Sequence, residues 1–140
     1  MSIKIEINIQ TQYNPTFNLQ QFINQVAQCK QINQGQFEFT FIDDQLMQSM
    51  HHKHFKDASR TDIITFNLET LENPHGDIYI CVNEAARNAQ QLNIDIDDEI
   101  KTLIVHGILH CLGYNDLNSD EKHNMFKEQD RLLALVKESQ

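Results

Sequence analysis

Apolar and polar residues alternate near the start of the chain, which is the pattern of a half-buried β-strand. The segment Ile3–Ile9 follows this pattern, and the phenylalanines of 37–41 repeat it. β-branched and aromatic residues in 61–68 and 78–82 predict two further strands. We therefore expect strands near 3–9, 37–42, 61–67 and 77–82.

Helical spacing of the apolar residues predicts five helices around these strands. The first lies between residues 17 and 30, and Gly35 is expected to mark the turn that follows the helix. The others are expected near 44–55, over 84–92 with Asn83 as the N-terminal cap, near 97–112, and over 119–137. At 140 residues the chain is long enough for a single core, and we expect these strands and helices to form one α+β domain over residues 1–140.

The sequence HGILHCLGYND, residues 106–116, carries the candidate chemistry. His106 and His110 are four residues apart on the fourth helix, so both imidazoles leave the same face and can hold one ion. Gly113 can end the helix in a left-handed conformation and return the chain towards the rings, which places Asp116 as a third ligand. Three protein ligands with one open position are typical of catalytic zinc. We expect one Zn²⁺ at the wall of this mostly buried helix.

Alternatives exist for parts of this site. His123 on the last helix competes with Asp116 as the third ligand, although it would have to point back towards the motif. A histidine pair at this spacing also occurs in helices that bind nothing, and mixed nitrogen and oxygen ligands admit other first-row metals. Cys111 points about 100° away from His110 on a helix, so we expect it to pack in the core.

Charge restricts the choice of partner. The chain has 20 acidic and 11 basic residues, a formal net charge of −9, which disfavours binding along extended duplex DNA. The only basic window is 51–60, with Lys53, Lys56 and Arg60. These three residues are either a solvated helix end or a surface that binds phosphate groups.

Composition indicates a soluble protein, with 40% apolar and 22% charged residues. No run approaches the ~20 apolar residues of a membrane span, and the first residues follow a strand pattern in place of a signal peptide. The three cysteines are widely spaced and read as reduced thiols. A cytoplasmic location without membrane association is the expectation.

Several segments together resemble a known family. HGILHCLGYND is preceded by TDIITF and GDIYICVNEA and is followed by Met125 and Glu128. This ordered set resembles the YbeY-type single-strand-specific endoribonucleases, which mature ribosomal RNA in bacteria, and the likeness covers roughly residues 43–130. The resemblance implies a mixed four-stranded sheet flanked by helices, with zinc bound in a cleft. His106 and His110 carry over as ligands, whereas the family usually has histidine where this chain has Asp116.

The resemblance implies metal-dependent hydrolysis of single-stranded RNA during ribosomal RNA processing, with ribosomal subunits or assembly proteins as further partners. The ion would polarise a phosphoryl oxygen and lower the pKa of a water molecule towards roughly 7. No residue of the motif is an obvious general base, so none is assigned. Both attack by water and attack by the substrate's 2′-hydroxyl remain open.

Two other functions use the same residues. The ligand spacing is also that of metzincin proteases, but these enzymes have a catalytic glutamate where this chain has Gly107, which disfavours proteolysis. The other alternative is a ribosome assembly factor without catalytic activity, stabilised by a structural zinc.

Overall fold

A computed structural model describes residues 2–55, 61–68 and 72–139. The strands are β1 (Ser2–Ile9), β2 (Gln34–Ile42), β3 (Ile63–Asn67) and β4 (His75–Cys81). The helices are α1 (Leu19–Cys29), α2 (Asp44–Phe55), α3 (Val82–Leu92), α4 (Ile96–Cys111) and α5 (Ser119–Ser139). The predicted α+β fold with a mixed four-stranded sheet is confirmed, and α4 is the helix that carries the histidine pair.

The strand order in the sheet is β1-β2-β4-β3. β1 and β4 both run parallel to β2, and β3 runs antiparallel to β4 at the edge. Rows of apolar side chains cross the sheet because the register aligns alternate residues; Ile7, Phe39 and Ile78 form one such row. This face carries the main core, which is completed by buried residues of α1, α4 and α5.

The opposite face of the sheet is covered by α2. A smaller cluster there joins Met47 of α2 to Ile42, Ile64 and Cys81 of the strands. Arg87 of α3 reinforces this side with a two-pronged ion pair to Asp44, at 2.6 and 3.0 Å. The histidine helix and α2 therefore lie on opposite faces of the sheet.

Two local predictions are wrong, and each has a structural reason. Gly35 lies within β2, with a φ of +148°, and a Cβ there would be 2.8 Å from the carbonyl oxygen of Pro74. The chain reverses earlier, at Gln31, which has a φ of +56°.

Asn83 does not cap α3, because β4 runs directly into that helix. Its side chain instead accepts a hydrogen bond of 2.8 Å from the Asp44 backbone N–H, at the start of α2.

Within the described ranges, no helix is both long enough and apolar enough to cross a membrane. Cys81 and Cys111 are buried, Cys29 is half-buried, and all three are free thiols. Core packing of Cys111 is thereby confirmed, and its Sγ fills the space beside Gly76.

Candidate metal centre

His106 and His110 converge on one point at the wall of α4. Their Nε2 atoms are 3.0 Å apart, and the ring planes are inclined at 76°. Both side chains are half-buried, because the residues between them, Gly107 to Leu109, face the core. The predicted juxtaposition of the two imidazoles is present.

Gln129 of α5 contacts His106 at Nδ1, the ring nitrogen that does not face His110. Its amide oxygen lies 3.2 Å from His106 Nδ1, and the side chain is only 7% exposed. An amide oxygen can only accept, so this contact places the imidazole proton on Nδ1 and leaves a lone pair on Nε2. That lone pair faces His110, which is the arrangement of a ring prepared to bind a metal.

The environment of His110 also favours a neutral ring. Burial and the proximity of His106 lower the pKa of His110, whereas the charge of Asp116 and a backbone hydrogen bond at Tyr114 act in the opposite direction. A neutral imidazole is the form that binds metal. Without a metal, His110 Nε2 can donate a hydrogen bond to the lone pair on His106 Nε2, and a bound cation would take the place of that proton.

The spacing of the two nitrogens suits zinc. Zn–N bonds of about 2.0–2.1 Å at a tetrahedral angle separate two nitrogens by roughly 3.3 Å, slightly more than the observed 3.0 Å. Within residues 2–55, 61–68 and 72–139, no group of three His, Cys, Asp or Glu side chains is arranged to hold a metal ion. The spacing of the two imidazole nitrogens is therefore compatible with zinc, and the metal site itself remains a prediction.

The two candidates for the third ligand both lie on the surface. Asp116 is exposed in the segment between α4 and α5, and its charge acts on His110. His123 is exposed on α5. The charge of Asp116 acts on His110, but within the described residues neither Asp116 nor His123 forms a three-ligand group with the histidine pair.

The turn that leads to Asp116 is well defined. α4 ends at Cys111, and Gly113 adopts a φ of +97°. The Gly113 N–H donates to the His110 carbonyl and the Tyr114 N–H donates to the Leu109 carbonyl, at 3.1 and 3.0 Å. This pair of bonds is the Schellman motif, so the predicted helix stop at Gly113 is confirmed.

A charged cluster anchors this turn to α5. Lys30 donates to the Tyr114 hydroxyl at 3.0 Å and pairs with Glu128 at 2.6 Å. Glu128 also accepts two hydrogen bonds of 2.7 Å from Arg131. The hydrogen bonds from Arg131 and Lys30 lower the pKa of Glu128 to about 2. The last helix therefore holds the turn in place.

Two carboxyl groups, the buried Glu99 of α4 and the half-buried Asp62 before β3, share one amide partner. Asn88 donates from its amide to both Asp62 and Glu99, at 3.1 and 3.2 Å. Burial raises the pKa of both carboxyl groups. Glu99 lies two turns before His106 on the same helix. No signal in the sequence indicated that Asp62, Asn88 and Glu99 contact one another.

A pocket of about 280 Å³ opens beside His110. Its other walls are Ile63, Thr65 and Asn67 of the edge strand β3. Asn67 donates from its side-chain amide to the Cys111 carbonyl at 3.1 Å, which ties β3 to the end of α4. The pocket therefore adjoins the ring of His110 on the β3 side.

The basic residues predicted to bind phosphate are only partly described. Lys53 is exposed on α2, which covers the face of the sheet opposite to α4. Lys56 and Arg60 lie outside the described residues. The structure does not bring Lys53 together with the histidine pair.

Comparisons of the sequence with known proteins all identify the same family. The sequence model of the endoribonuclease YbeY family matches residues 4–137. The endoribonuclease YbeY of Flavobacterium johnsoniae is 28% identical over 134 residues, covering 94% of this chain and 96% of the relative. The endoribonuclease YbeY of Christiangramia forsetii is 32% identical over 101 residues, covering 72% of this chain and 71% of the relative.

The fold is shared with a solved structure. The solution structure of TM1509 from Thermotoga maritima matches with a TM-score of 0.69 and 24% identity, covering 96% of this chain and 88% of that protein. The family match covers nearly the whole chain and includes the histidine motif. This chain belongs to the endoribonuclease YbeY family.

Proposed function

We propose that this protein is a zinc-dependent endoribonuclease that cleaves single-stranded RNA in the cytoplasm during ribosomal RNA maturation. Membership of the YbeY family supports the endoribonuclease activity. The observation that carries the proposal is the pair of Nε2 atoms, 3.0 Å apart, on a helix wall that also borders a pocket.

His106 and His110 would hold the ion through Nε2, and an oxygen of Asp116 is the proposed third ligand. Carboxylate oxygen is an accepted zinc ligand, so replacement of the usual histidine by Asp116 is compatible with binding. When bound, zinc supplies positive charge to a phosphoryl oxygen and makes a neighbouring water more acidic. Gln129 keeps the His106 proton on Nδ1, away from the ion.

RNA binding has to overcome the net charge of −9. We propose that Lys53, Lys56 and Arg60 supply local positive charge for the phosphate backbone, and that the RNA is part of a ribosomal subunit or its assembly intermediates. Lys53 is exposed, as such a role requires.

The protease alternative conflicts with the packing of Gly107. A Cβ at this position would lie 3.1 Å from two side-chain carbons of Ile78 and 3.3 Å from Ile63. The direction in which a glutamate would leave α4 is therefore filled by the sheet. A glutamate at this position would require Ile78 and Ile63 to shift by a few tenths of an ångström, which disfavours the general base of a metzincin here.

One experiment separates three functions. Zinc-loaded protein, the His110→Ala variant and a metal-free sample are each incubated with structured ribosomal RNA and, separately, with denatured casein. We expect RNA cleavage by the zinc-loaded protein alone and intact casein throughout. Casein cleavage would indicate a protease, and bound zinc without either activity would indicate a structural assembly factor.

A further inference from the structure

The edge strand β3 presents unused backbone groups beside His110. The Cys81 N–H donates to the Asp62 carbonyl at 2.9 Å, and the Leu68 N–H donates to the His75 carbonyl at 2.8 Å. In an antiparallel pair only alternate residues exchange bonds with the partner strand. By this alternation, Ile64 and Phe66 bond to β4, while Ile63, Thr65 and Asn67 turn their backbone groups outwards.

The outward groups have few partners within the described residues. The Ile63 carbonyl has a long contact of 3.5 Å with the Thr61 hydroxyl, and the Asn67 side chain is engaged by the Cys111 carbonyl. The side chains of Ile63, Thr65 and Asn67 are the same three that line the pocket with His110. A row of donors and acceptors, repeated about every 6.8 Å along the strand, thus borders the histidine pair.

We propose that the outward edge of β3 binds the bases of single-stranded RNA and so places the backbone of the strand near His110; this inference rests on the proposed function. Base edges carry donors and acceptors that can pair with backbone N–H and C=O groups. Those base edges are accessible in single strands, whereas a duplex uses them in pairing. The edge would then select for unpaired RNA.

Pocket size and charge agree with this assignment. A volume of about 280 Å³ is just below the ~300–1,000 Å³ typical of ligand sites, which suits a single nucleotide better than a helix. A strand bound through its bases can keep many of its phosphates turned towards solvent. Such a strand avoids much of the repulsion from a protein of net charge −9.

Amide hydrogen exchange tests the inference directly. Zinc-loaded protein is mixed with a short 2′-O-methylated pyrimidine oligoribonucleotide, and exchange is followed by NMR residue by residue. We expect slower exchange, by about tenfold at saturation, at the amides of Ile63, Thr65 and Asn67. The amides of Ile64 and Phe66, which bond to β4, serve as internal controls and should change little.

Parallel measurements separate this inference from the proposed function. Cleavage of the matching unmodified oligonucleotide is followed with the same preparation. Cleavage and binding without protection of the outward amides would overturn the role of β3 and leave the proposed function standing. If the protein neither binds nor cleaves the oligonucleotide, both the role of β3 and the proposed function are overturned. An extended peptide can also pair with a strand edge, so protection by an unstructured peptide but not by the oligonucleotide would contradict the assignment.

A pair of variants gives a second readout. Thr65→Pro removes one outward N–H and no bond to β4, a position at which an edge strand tolerates proline. Thr65→Val keeps the N–H and removes only the hydroxyl. We expect Thr65→Pro to raise the Kd for the oligonucleotide several-fold, because about one hydrogen bond to the RNA is lost. Thr65→Val should leave the Kd nearly unchanged. Equal weakening by both variants, with folding verified by circular dichroism, would contradict recognition through the backbone.

Discussion

The amide oxygen of Gln129 lies 3.2 Å from Nδ1 of His106, across the interface between α5 and α4. Gln129 occupies a buried position on the face of α5 that also carries Met125, Leu132 and Val136. A polar side chain in such an apolar stripe needs a partner, and His106 supplies it. The contact fixes which ring nitrogen is available to a metal.

We predict that Gln129→Leu weakens zinc binding by about 10- to 100-fold, the usual effect of losing the partner of a metal-binding histidine. Gln129→Glu is the matched control, because a carboxylate also accepts from Nδ1 and should retain the affinity. Competition with a chromophoric chelator measures the zinc affinity of both variants. The ¹⁵N chemical shifts of His106 in metal-free protein should show a change of tautomer in Gln129→Leu only. Unchanged shifts and affinity in that variant would assign Gln129 a packing role.

Position 116 tests the third ligand. Asp116→Ala should lower zinc affinity and Asp116→His should restore it, since both carboxylate and imidazole fit tetrahedral zinc. His123→Ala is the control on the neighbouring helix and should have little effect. The zinc content of each of the three variants after dialysis against a weak chelator measures the relative affinity. The opposite pattern, with loss only in His123→Ala, would move the third ligand to α5.

The cluster around Glu128 predicts a sensitivity to acid. Hydrogen bonds from Arg131 and Lys30 lower the pKa of Glu128 to about 2, from an ordinary value of 4.5. A lowered carboxyl pKa contributes stability that is complete above pH 4.5 and is lost as the pH falls towards 2. Urea unfolding between these limits should therefore show a smaller decline in the free energy of unfolding for Glu128→Gln than for the native protein. Parallel declines would show that Glu128 contributes nothing to the pH dependence.

The local parts of the site were predictable, and the distant contacts were not. The His106–His110 pair and the Gly113 stop follow from spacing within one helix and its end. The contact from Gln129 joins residues 23 positions apart, and no local pattern gives their relative placement. A polar residue on the apolar stripe of α5 was the signal that could have indicated it.

The fold shows the same division. Alternation predicted the first two strands and β-branched and aromatic composition the other two, but the outer position of β3 and its antiparallel direction depend on packing between distant segments. Asn83 has the residue type of a helix cap. Its side chain nevertheless caps α2, because the end of β4 places it beside Asp44 and not beside an exposed start of α3.

The basic window predicts how RNA affinity depends on salt. Replacing Lys53, Lys56 and Arg60 together by Ala should weaken RNA binding and flatten the slope of log Kd against log salt, because fewer counterions are released. Zinc content should stay unchanged. Lys4→Ala with Lys137→Ala, two basic residues elsewhere on the chain, is the control. An unaltered salt slope in the triple variant would remove these residues from the RNA surface.

The central claim is that one zinc ion on the histidine pair is required for RNA cleavage, and a titration tests it most directly. Metal-free protein receives increasing zinc while cleavage of single-stranded RNA and bound zinc are measured in the same samples. We predict that activity rises with bound zinc and reaches a plateau at one ion per chain, and that His106→Ala and His110→Ala bind little zinc and stay inactive. Full RNA cleavage by metal-free protein, or by either variant without bound zinc, would contradict the account.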